Sequence, residues 1–201
     1  MTEYSQIKLI DLLEKKGEPF VKEMLSSFSC PLNQDIEDYL RRKAVIMAQK
    51  NISPTYLIFT TQLGKPVLIG YYTIALKTLT IRCGKITRRQ RDKIKRFGSY
   101  DENQNAYQIP AYLIAQLGKN FSNGYNKLIT GDELLKMACD RVKESQNLVG
   151  GKVVYLECED KPRLITFYRR NGFTEFDKRE IEEKEKRIFK SDYLIQMLKL
   201  L

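Results

Sequence analysis

The second half of the chain alternates between strand-like and helix-like patterns, and this alternation limits the folds that the chain can adopt. AYLIAQL (111–117) is strand-like, and a polar loop leads from it into the helical pattern DELLKMACDRVKESQ (132–146). KVVYLEC (152–158) is the next strand pattern, and the helical PRLITFYRR (162–170) follows it. This order predicts a parallel strand pair that is joined by a crossover helix.

The first half predicts helices and then a hairpin. Residues 1–50 read as helical, most clearly IEDYLRRKAVIMAQK (36–50), where apolar residues recur at helical spacing. TYLIFTT (55–61) and PVLIGYYTIALKTLTI (66–81) are rich in β-branched and aromatic residues, and QLGK joins them as a hairpin connection.

The remaining segments complete an α/β pattern. Thr87 and Gln90 predict a capping box for a short basic helix, and GSYDENQN (98–105) is expected to be a polar loop. A strand is expected after Phe173, then a charged segment EIEEKEKR, and a last strand at residues 191–201. We therefore expect a single α/β domain over residues 1–201 with a mixed sheet.

Composition excludes several classes of protein. The longest apolar stretches run only a few residues and are too short to span a bilayer, and the N-terminus lacks a continuous apolar region typical of a signal peptide. The four cysteines have no paired spacing, which is typical of a reducing compartment. A cytoplasmic location is the resulting expectation.

The chain contains no histidine, and this single fact removes several kinds of catalytic site. Ser-His-Asp and Cys-His sites, histidine general bases and histidine-ligated zinc are all excluded. No acidic cluster has a recognisable ligand spacing, so we expect no metal.

The start of the second-half helix is the strongest local signal. Thr130 and Glu133 have capping-box spacing, and Gly131 leaves the first turn open to a ligand. A helix N-terminus presents unpaired N–H groups and can hold a pyrophosphate, to which Lys119 and Lys127 add charge. An ordinary capped helix explains the same residues. GxGxxG and Walker motifs are absent, so Rossmann and P-loop sites are disfavoured.

Several of these segments together resemble the GNAT (Gcn5-related) N-acetyltransferase superfamily. VVYLECEDKPRLITFYRRNGF is similar to its fifth strand and following helix, and QLGKNFSNGYNKLITGDELL to its fourth strand and pyrophosphate loop. GYYTIA and YLRRKAVIMAQKNISPTYLIF are similar to the acetyltransferase toxins of toxin–antitoxin pairs. The resemblance covers roughly residues 38–200. It implies a mostly antiparallel sheet with helices on both faces and a central parallel pair that splays apart to hold acetyl-CoA.

The resemblance implies a cofactor-binding core over residues 111–173. Main-chain groups at the end of the fourth strand would pair with the pantetheine arm, and the loop that follows would bind the pyrophosphate. The family loop reads Q/R-x-x-G-x-G/A, so its first glycine position is occupied here by Ile129, and this substitution puts tight binding in doubt. The implied cofactor-binding residues are Leu117, Gly118, Lys119, Asn126, Lys127, Leu128, Ile129, Thr130, Gly131 and Asp132.

The resemblance also implies a catalytic residue. Tyr168 matches the tyrosine that commonly protonates the departing coenzyme A thiolate, and its phenol has an ordinary pKa of about 10. A helix tyrosine that only packs its ring is the alternative. No general base is evident, although Glu157 or Glu159 acting through water stays open. Because an α-amine has a pKa of about 8, a useful fraction is already neutral, which favours an α-amino acceptor over a lysine.

Charge suggests a further partner. The chain has a formal net charge of +10, and eight bases with one acid fall between Arg82 and Arg96. This stretch is a candidate tRNA-binding face, as the toxin resemblance implies, although charge runs are often only solvated surface.

Three functions remain open from the sequence. The chain either acetylates the aminoacyl end of tRNA or a protein or peptide amine, acetylates a small-molecule amine, or binds nucleic acid without catalysis. Whether it forms a homodimer or has an antitoxin partner is left open.

Overall fold

The computed structural model describes residues 3–183 and 191–201, which form an α/β protein with a mixed sheet. The chain divides into two compact units. The first comprises Met1–Ala75 and Ile114–Ala138, and the second comprises Leu76–Leu113 and Cys139–Leu201.

The first unit begins with a short strand and continues with helices. Strand β1 is Ser5–Lys8, and a π-helical turn, Tyr39–Lys43, lies between the third and fourth helices. The side chain of Asn33 accepts hydrogen bonds from two main-chain N–H groups at the start of the third helix and so caps it. The four helices are α1 (Leu9–Lys16), α2 (Glu18–Ser26), α3 (Gln34–Asp38) and α4 (Ala44–Gln49).

The predicted hairpin follows these helices. Strands β2 (Thr55–Gln62) and β3 (Lys65–Arg82) pair antiparallel around a two-residue turn. Leu63 and Gly64 both have positive φ angles, 50° and 75°, which is the mirror-image turn that matches the twist of a hairpin. In this unit the strand order is β1-β2-β3-β5, where β5 is Ala106–Lys119.

The second unit contains the rest of the sheet, and β3, β5 and α6 run through both units. The strand order in the second unit is β3-β5-β6-β8-β7, with β4 also paired to β5. Its elements are α5 (Arg88–Ile94), β4 (Ser99–Asp101), β5 (Ala106–Lys119), α6 (Gly131–Val149), β6 (Val153–Glu159), α7 (Pro162–Arg170), β7 (Thr174–Glu180) and β8 (Tyr193–Leu200).

Strands β5 and β6 form the predicted parallel pair, with α6 as the crossover helix between them. Their register begins at Ala111 opposite Val153 and ends at Leu113 opposite Tyr155. Strand β5 then continues to Lys119, so its last six residues lie beyond its pairing with β6. Strands β1 and β2, β2 and β3, β4 and β5, β6 and β8, and β7 and β8 pair antiparallel, which confirms the mixed, mostly antiparallel sheet.

Each unit has its own hydrophobic core. In the first, α1, α2 and α4 pack their apolar faces with β2 and β3, and Leu9, Leu25 and Leu40 have no exposed surface. In the second, Ile81, Ile109 and other apolar side chains of β3, β5 and β6 pack with Ile94 of α5.

Two short strands depart from the expectations. Residues 5–8 were expected to be helical but form β1, which pairs with β2, and Ser99–Asp101 were expected to be loop but form β4. Both strands are three or four residues long and are stabilised by pairing rather than by their own pattern. The charged segment 180–187 lies partly outside the described residues. No helix in the described part of the chain is long and apolar enough to span a membrane.

Candidate functional site

The end of β5 lies in the first unit, where it packs closely against β3 and against a side chain of α3. Leu117, Gly118 and Lys119 are the last three residues of the strand. A Cβ atom at Gly118 would overlap the Ile36 side chain of α3, and one at Gly70 would lie 3.0 Å from the carbonyl oxygen of Gly118. Packing therefore requires glycine at position 118, whatever main-chain role the strand end has.

Asn120 fixes the start of the loop that follows, and sequence reasoning missed it. Its side chain is 1% exposed and donates to the carbonyl oxygen of Leu68 at 2.8 Å. Its Oδ1 accepts from the N–H groups of Ser29 and Ser122 at 3.0 and 3.1 Å. An asparagine directly after an apolar strand could have predicted this contact, because the side-chain amide of asparagine readily forms hydrogen bonds to nearby main-chain groups.

Lys119 contributes its side chain to the loop as well as its backbone. Its Nζ donates to the carbonyl oxygens of Asn126 and Ile129, at 2.8 and 3.2 Å. No carboxylate pairs with this ammonium group within the described ranges. The predicted positive charge therefore lies inside the loop, bound to its carbonyl groups.

The loop is more ordered than its polar sequence indicates. Ser122–Lys127 form a 3₁₀ turn in which Asn123 and Gly124 have positive φ angles. Leu128 donates its N–H to the carbonyl of Tyr125 at 3.0 Å. Within this loop the side chain of Asn126 is half-buried and that of Lys127 is exposed.

Ile129 occupies the position where the family has a glycine, and its side chain faces the core. Only 2% of the residue is exposed. Its N–H group donates no hydrogen bond within residues 3–183 and 191–201. The isoleucine therefore does not fill the loop's outer surface, and the departure from glycine is compatible with main-chain binding there.

Thr130 and Glu133 form the predicted capping box. The N–H of Glu133 donates to Thr130 Oγ1 at 3.1 Å, and the N–H and hydroxyl of Thr130 both donate to Glu133 Oε2, at 2.8 and 2.7 Å. The bond from the Thr130 hydroxyl, followed by that from its N–H, lowers the pKa of Glu133. The carboxylate is therefore ionised at neutral pH and holds the start of α6.

The helix start retains anion-binding capacity. The N–H groups of Ile129 and Gly131 donate no hydrogen bond in the part of the chain that the structure describes, and both are next to Thr130. They lie at the positive end of a 19-residue helix. Asp132 and Glu133 place acid in the same first turn, so the cations of Lys119 and Lys127 offset local negative charge.

Tyr168 lies in the second unit on α7, and the helix end explains the motif around it. Gly172 has a φ of 84° and donates to the carbonyl of Arg169 at 2.9 Å, while Phe173 donates to that of Tyr168 at 3.0 Å. This pair of bonds is a Schellman motif, which requires the left-handed residue that glycine supplies. The ring of Phe173 also packs edge-on against Tyr168, with ring centres 6.0 Å apart. The Phe-Tyr-x-x-x-Gly-Phe pattern thus has a structural basis.

The surroundings of the Tyr168 hydroxyl group keep it protonated. It makes no hydrogen bond to any residue that the structure describes, and it is not among the fully buried unpartnered atoms. Burial, and then the nearby Cys158, raises the pKa of Tyr168. Burial also raises the pKa of the Cys158 thiol, to about 12. Both groups therefore keep their protons at neutral pH.

The two candidate bases are engaged elsewhere in the second unit. Glu157 accepts from Arg179 Nε and from Gln196 Nε2, each at 2.8 Å. Glu159 forms an ion pair with Lys161 at 2.7 Å. These contacts favour a structural role for both carboxylates.

The basic stretch forms the end of β3, a 3₁₀ turn and α5. Thr87 caps α5 with Gln90 as predicted. Lys95 pairs with Asp92 at 2.8 Å, and Lys85 lies 3.9 Å from Asp177. The other cations have no ion pair with any described residue, and all but Arg91 are exposed: Arg82, Arg88, Arg89, Arg91, Lys93 and Arg96.

The predicted site residues thus fall in two places. Those implied for cofactor binding are contiguous in the first unit, from the end of β5 to the first turn of α6. Tyr168 and the basic stretch belong to the second unit. No group of three or more cysteine, aspartate or glutamate residues in the described ranges is arranged to hold a metal ion.

Known structures with this architecture decide the fold. One is a tyrosine-to-phenylalanine variant of KacT, which is 18% identical, has a TM-score of 0.62, and is matched over 96% of this chain and 94% of its own. Another is AtaT complexed with acetyl-methionyl-tRNAfMet, 17% identical with a TM-score of 0.61 and the same two coverages. KacT and AtaT are GNAT-fold toxins. The chain has the GNAT fold.

A third GNAT structure similar to this chain is AtaTR bound with acetyl-CoA. It is 16% identical, has a TM-score of 0.55, and is matched over 96% of this chain and 92% of its own. No protein-family model matches the chain, and no curated protein matches it either. The GNAT fold that the sequence resemblance implies is therefore confirmed at the level of structure.

Proposed function

We propose that the chain is an acetyl-CoA-dependent N-acetyltransferase that acts on a primary amine. The observation that carries this proposal is the continuation of β5 beyond its parallel pairing with β6, directly into a loop and a capped helix start. A strand edge of this kind offers main-chain groups to an extended amide-bearing arm, and the helix start offers N–H groups to phosphate. The described binding of acetyl-CoA by AtaTR, which has the same fold, supports this ligand.

The cofactor-binding residues divide between these two features. Main-chain groups of Leu117, Gly118 and Lys119 bind the pantetheine arm. The loop and the first turn of α6 bind the pyrophosphate, chiefly through the N–H groups of Ile129 and Gly131, with Lys127 adding charge. The remaining loop positions hold these groups in place: Asn126, Leu128, Thr130 and Asp132.

Tyr168 is the general acid in this proposal. When bound, acetyl-CoA supplies a thioester that the acceptor amine attacks directly. The Tyr168 hydroxyl then gives its proton to the departing thiolate sulfur, and the resulting phenolate regains a proton as the acceptor nitrogen loses one, directly or through water, to form the amide. Its raised pKa keeps that proton in place at neutral pH, and the hydroxyl has no hydrogen-bond partner among the described residues that would compete for it.

The acceptor that fits best is the α-amine of an aminoacyl-tRNA. Both candidate bases are held in polar contacts, so an acceptor that is already partly neutral suits the site. The cations between Arg82 and Arg96 suit a phosphate backbone. Acetyl-methionyl-tRNAfMet is the molecule complexed with AtaT in the similar structure. An acetyltransferase for small amines and a noncatalytic nucleic-acid binder are the alternatives, and no observation favours either.

A transfer screen tests this proposal. The protein would be incubated with radiolabelled acetyl-CoA and, separately, with aminoacyl-tRNA, uncharged tRNA, a basic peptide and a polyamine. We expect label on aminoacyl-tRNA and none on uncharged tRNA. Label on the polyamine alone would favour the small-amine alternative. Tight tRNA binding without transfer to any acceptor would favour the noncatalytic one.

A further inference from the structure

The side chain of Lys119 bonds to the loop rather than pointing outward. Its Nζ donates to the carbonyl oxygens of Asn126 and Ile129, at 2.8 and 3.2 Å, and so ties together two peptide groups three residues apart. A cation that two carbonyls already bind at this distance has less of its capacity left for a phosphate. Its direct effect is to fix the direction of those carbonyl groups.

Tyr4 acts on the same loop from β1's side of the first unit. Its hydroxyl lies 3.1 Å from the carbonyl oxygen of Leu128 and 3.2 Å from Glu133 Oε1. Lys119 and Tyr4 together therefore hold the carbonyls of two consecutive residues, Leu128 and Ile129. Sequence reasoning gave no signal for Tyr4, because it lies more than 120 residues from its partners.

Fixing a carbonyl also fixes the next N–H group. In a planar trans peptide the C=O and N–H bonds point in opposite directions. The contact of Tyr4 with Leu128 therefore turns the N–H of Ile129 away from Tyr4, and that of Lys119 with Ile129 turns the N–H of Thr130 away from Lys119. The Thr130 N–H already meets an anion, the Glu133 carboxylate, at 2.8 Å. The Ile129 N–H has no acceptor in the described residues.

We propose that Tyr4 and Lys119 are positioning residues for the loop that binds the pyrophosphate of acetyl-CoA: Tyr4 orients the N–H group of Ile129, and Lys119 fixes the peptide groups before and after it. This inference rests on the proposed function and goes beyond it by giving the lysine side chain an indirect role.

The test measures acetyl-CoA binding by calorimetry and compares variants of Lys119, at the end of β5, and Lys127, in the loop that follows. Lys119→Met is expected to raise the Kd for acetyl-CoA about tenfold or more, since it removes two charged hydrogen bonds that order the loop. Lys127→Met removes the same charge from an exposed side chain and is expected to raise the Kd for acetyl-CoA only about threefold. Lys119→Arg retains donors for both carbonyls and is expected to recover most of the affinity. Tyr4→Phe should weaken binding by about threefold.

A second readout separates positioning from general damage. Acetylpantetheine carries the thioester but lacks the pyrophosphate, and Lys119→Met keeps the main-chain groups of the residue, so the variant should raise the KM for acetylpantetheine by much less than it raises the Kd for acetyl-CoA. The proposal is overturned if both Met variants weaken acetyl-CoA binding equally, or if acetylpantetheine is affected as strongly as acetyl-CoA. If the wild-type protein does not bind acetyl-CoA at all, the proposed function itself fails. That result differs from the two outcomes that would overturn only the positioning role.

Discussion

At the scale of single residues, Tyr168 combines a fixed position with a hydroxyl group that keeps its proton. The Schellman motif at Gly172 fixes the backbone after it, and the ring packs against those of Phe167 and Phe173 at 4.9 and 6.0 Å. The hydroxyl makes no hydrogen bond to a described residue. A tyrosine that served only as packing would have the same ring contacts. A test of its catalytic role must therefore depend on whether the hydroxyl carries a proton.

The pH dependence of turnover tests the protonation state of Tyr168. A general acid acts only while protonated, and because burial raises the pKa of Tyr168, its proton remains as pH rises past its ordinary value of about 10. We expect kcat/KM to rise with pH as the α-amine of the acceptor deprotonates, at about pH 8, and to show no alkaline decrease below about pH 10. An amino acid amide is a suitable acceptor because it resists alkaline hydrolysis. An alkaline decrease centred below pH 9 that disappears in Tyr168→Phe would contradict the raised pKa.

Ile129 shows how little a sequence mismatch says about the direction of a side chain. Its departure from the family glycine puts tight binding of the cofactor in doubt. In the structure the side chain is buried and the N–H group has no partner among the described residues. The direction of a side chain at a strand-to-helix loop depends on packing from distant segments, which local sequence does not contain.

At the scale of secondary structure, the two capping boxes were predictable because their information is local. Thr87 with Gln90 and Thr130 with Glu133 follow the same spacing, and both form. The crossover unit and the hairpin were also predictable, from periodicity and from the two-residue turn. Strands β1 and β4 were not, because each is a short segment defined by its partner strand. The roles of Asn120 and Tyr4 were not predicted from sequence for the same reason, because their contacts are with residues far away in the chain.

The two capping boxes provide a matched pair of variants. Thr130→Ala and Thr87→Ala should each cost about 0.5–2 kcal/mol of stability, because each removes the hydroxyl that accepts the N–H at the third helical residue. Only Thr130 adjoins the proposed phosphate site, so only Thr130→Ala should weaken acetyl-CoA binding. Urea unfolding and calorimetry measure the two effects. Equal acetyl-CoA affinity in both variants would place the phosphate away from the start of α6.

At the scale of the whole molecule, charge is the property that bears most on the acceptor. The chain has a net charge of +10, which attracts polyanions in general and does not choose among them. The cations of the basic stretch are grouped on the end of β3 and on α5, and most have no ion pair in the described ranges. A phosphate backbone gains from such a group because binding releases counterions.

Charge reversal at α5 tests this group as the tRNA contact. Arg88→Glu with Arg89→Glu should weaken tRNA binding by about tenfold or more at moderate salt and make the binding less sensitive to salt, since phosphate contacts are lost. Acetyl-CoA affinity should not change. Lys15→Glu with Lys16→Glu is the control, because it alters net charge equally at α1. Equal loss of tRNA affinity in the two double variants would show a general charge effect and exclude α5 as a specific contact.

The most direct test of the central claim compares wild type and Tyr168→Phe for acetyl-CoA binding by calorimetry and for acetyl transfer to aminoacyl-tRNA in a single turnover. We predict micromolar acetyl-CoA binding by both proteins and a loss of about 10²–10⁴-fold in the transfer rate of the variant, the effect of removing a general acid. Absence of acetyl-CoA binding by the wild-type protein, or transfer at the same rate by both proteins, would contradict the account.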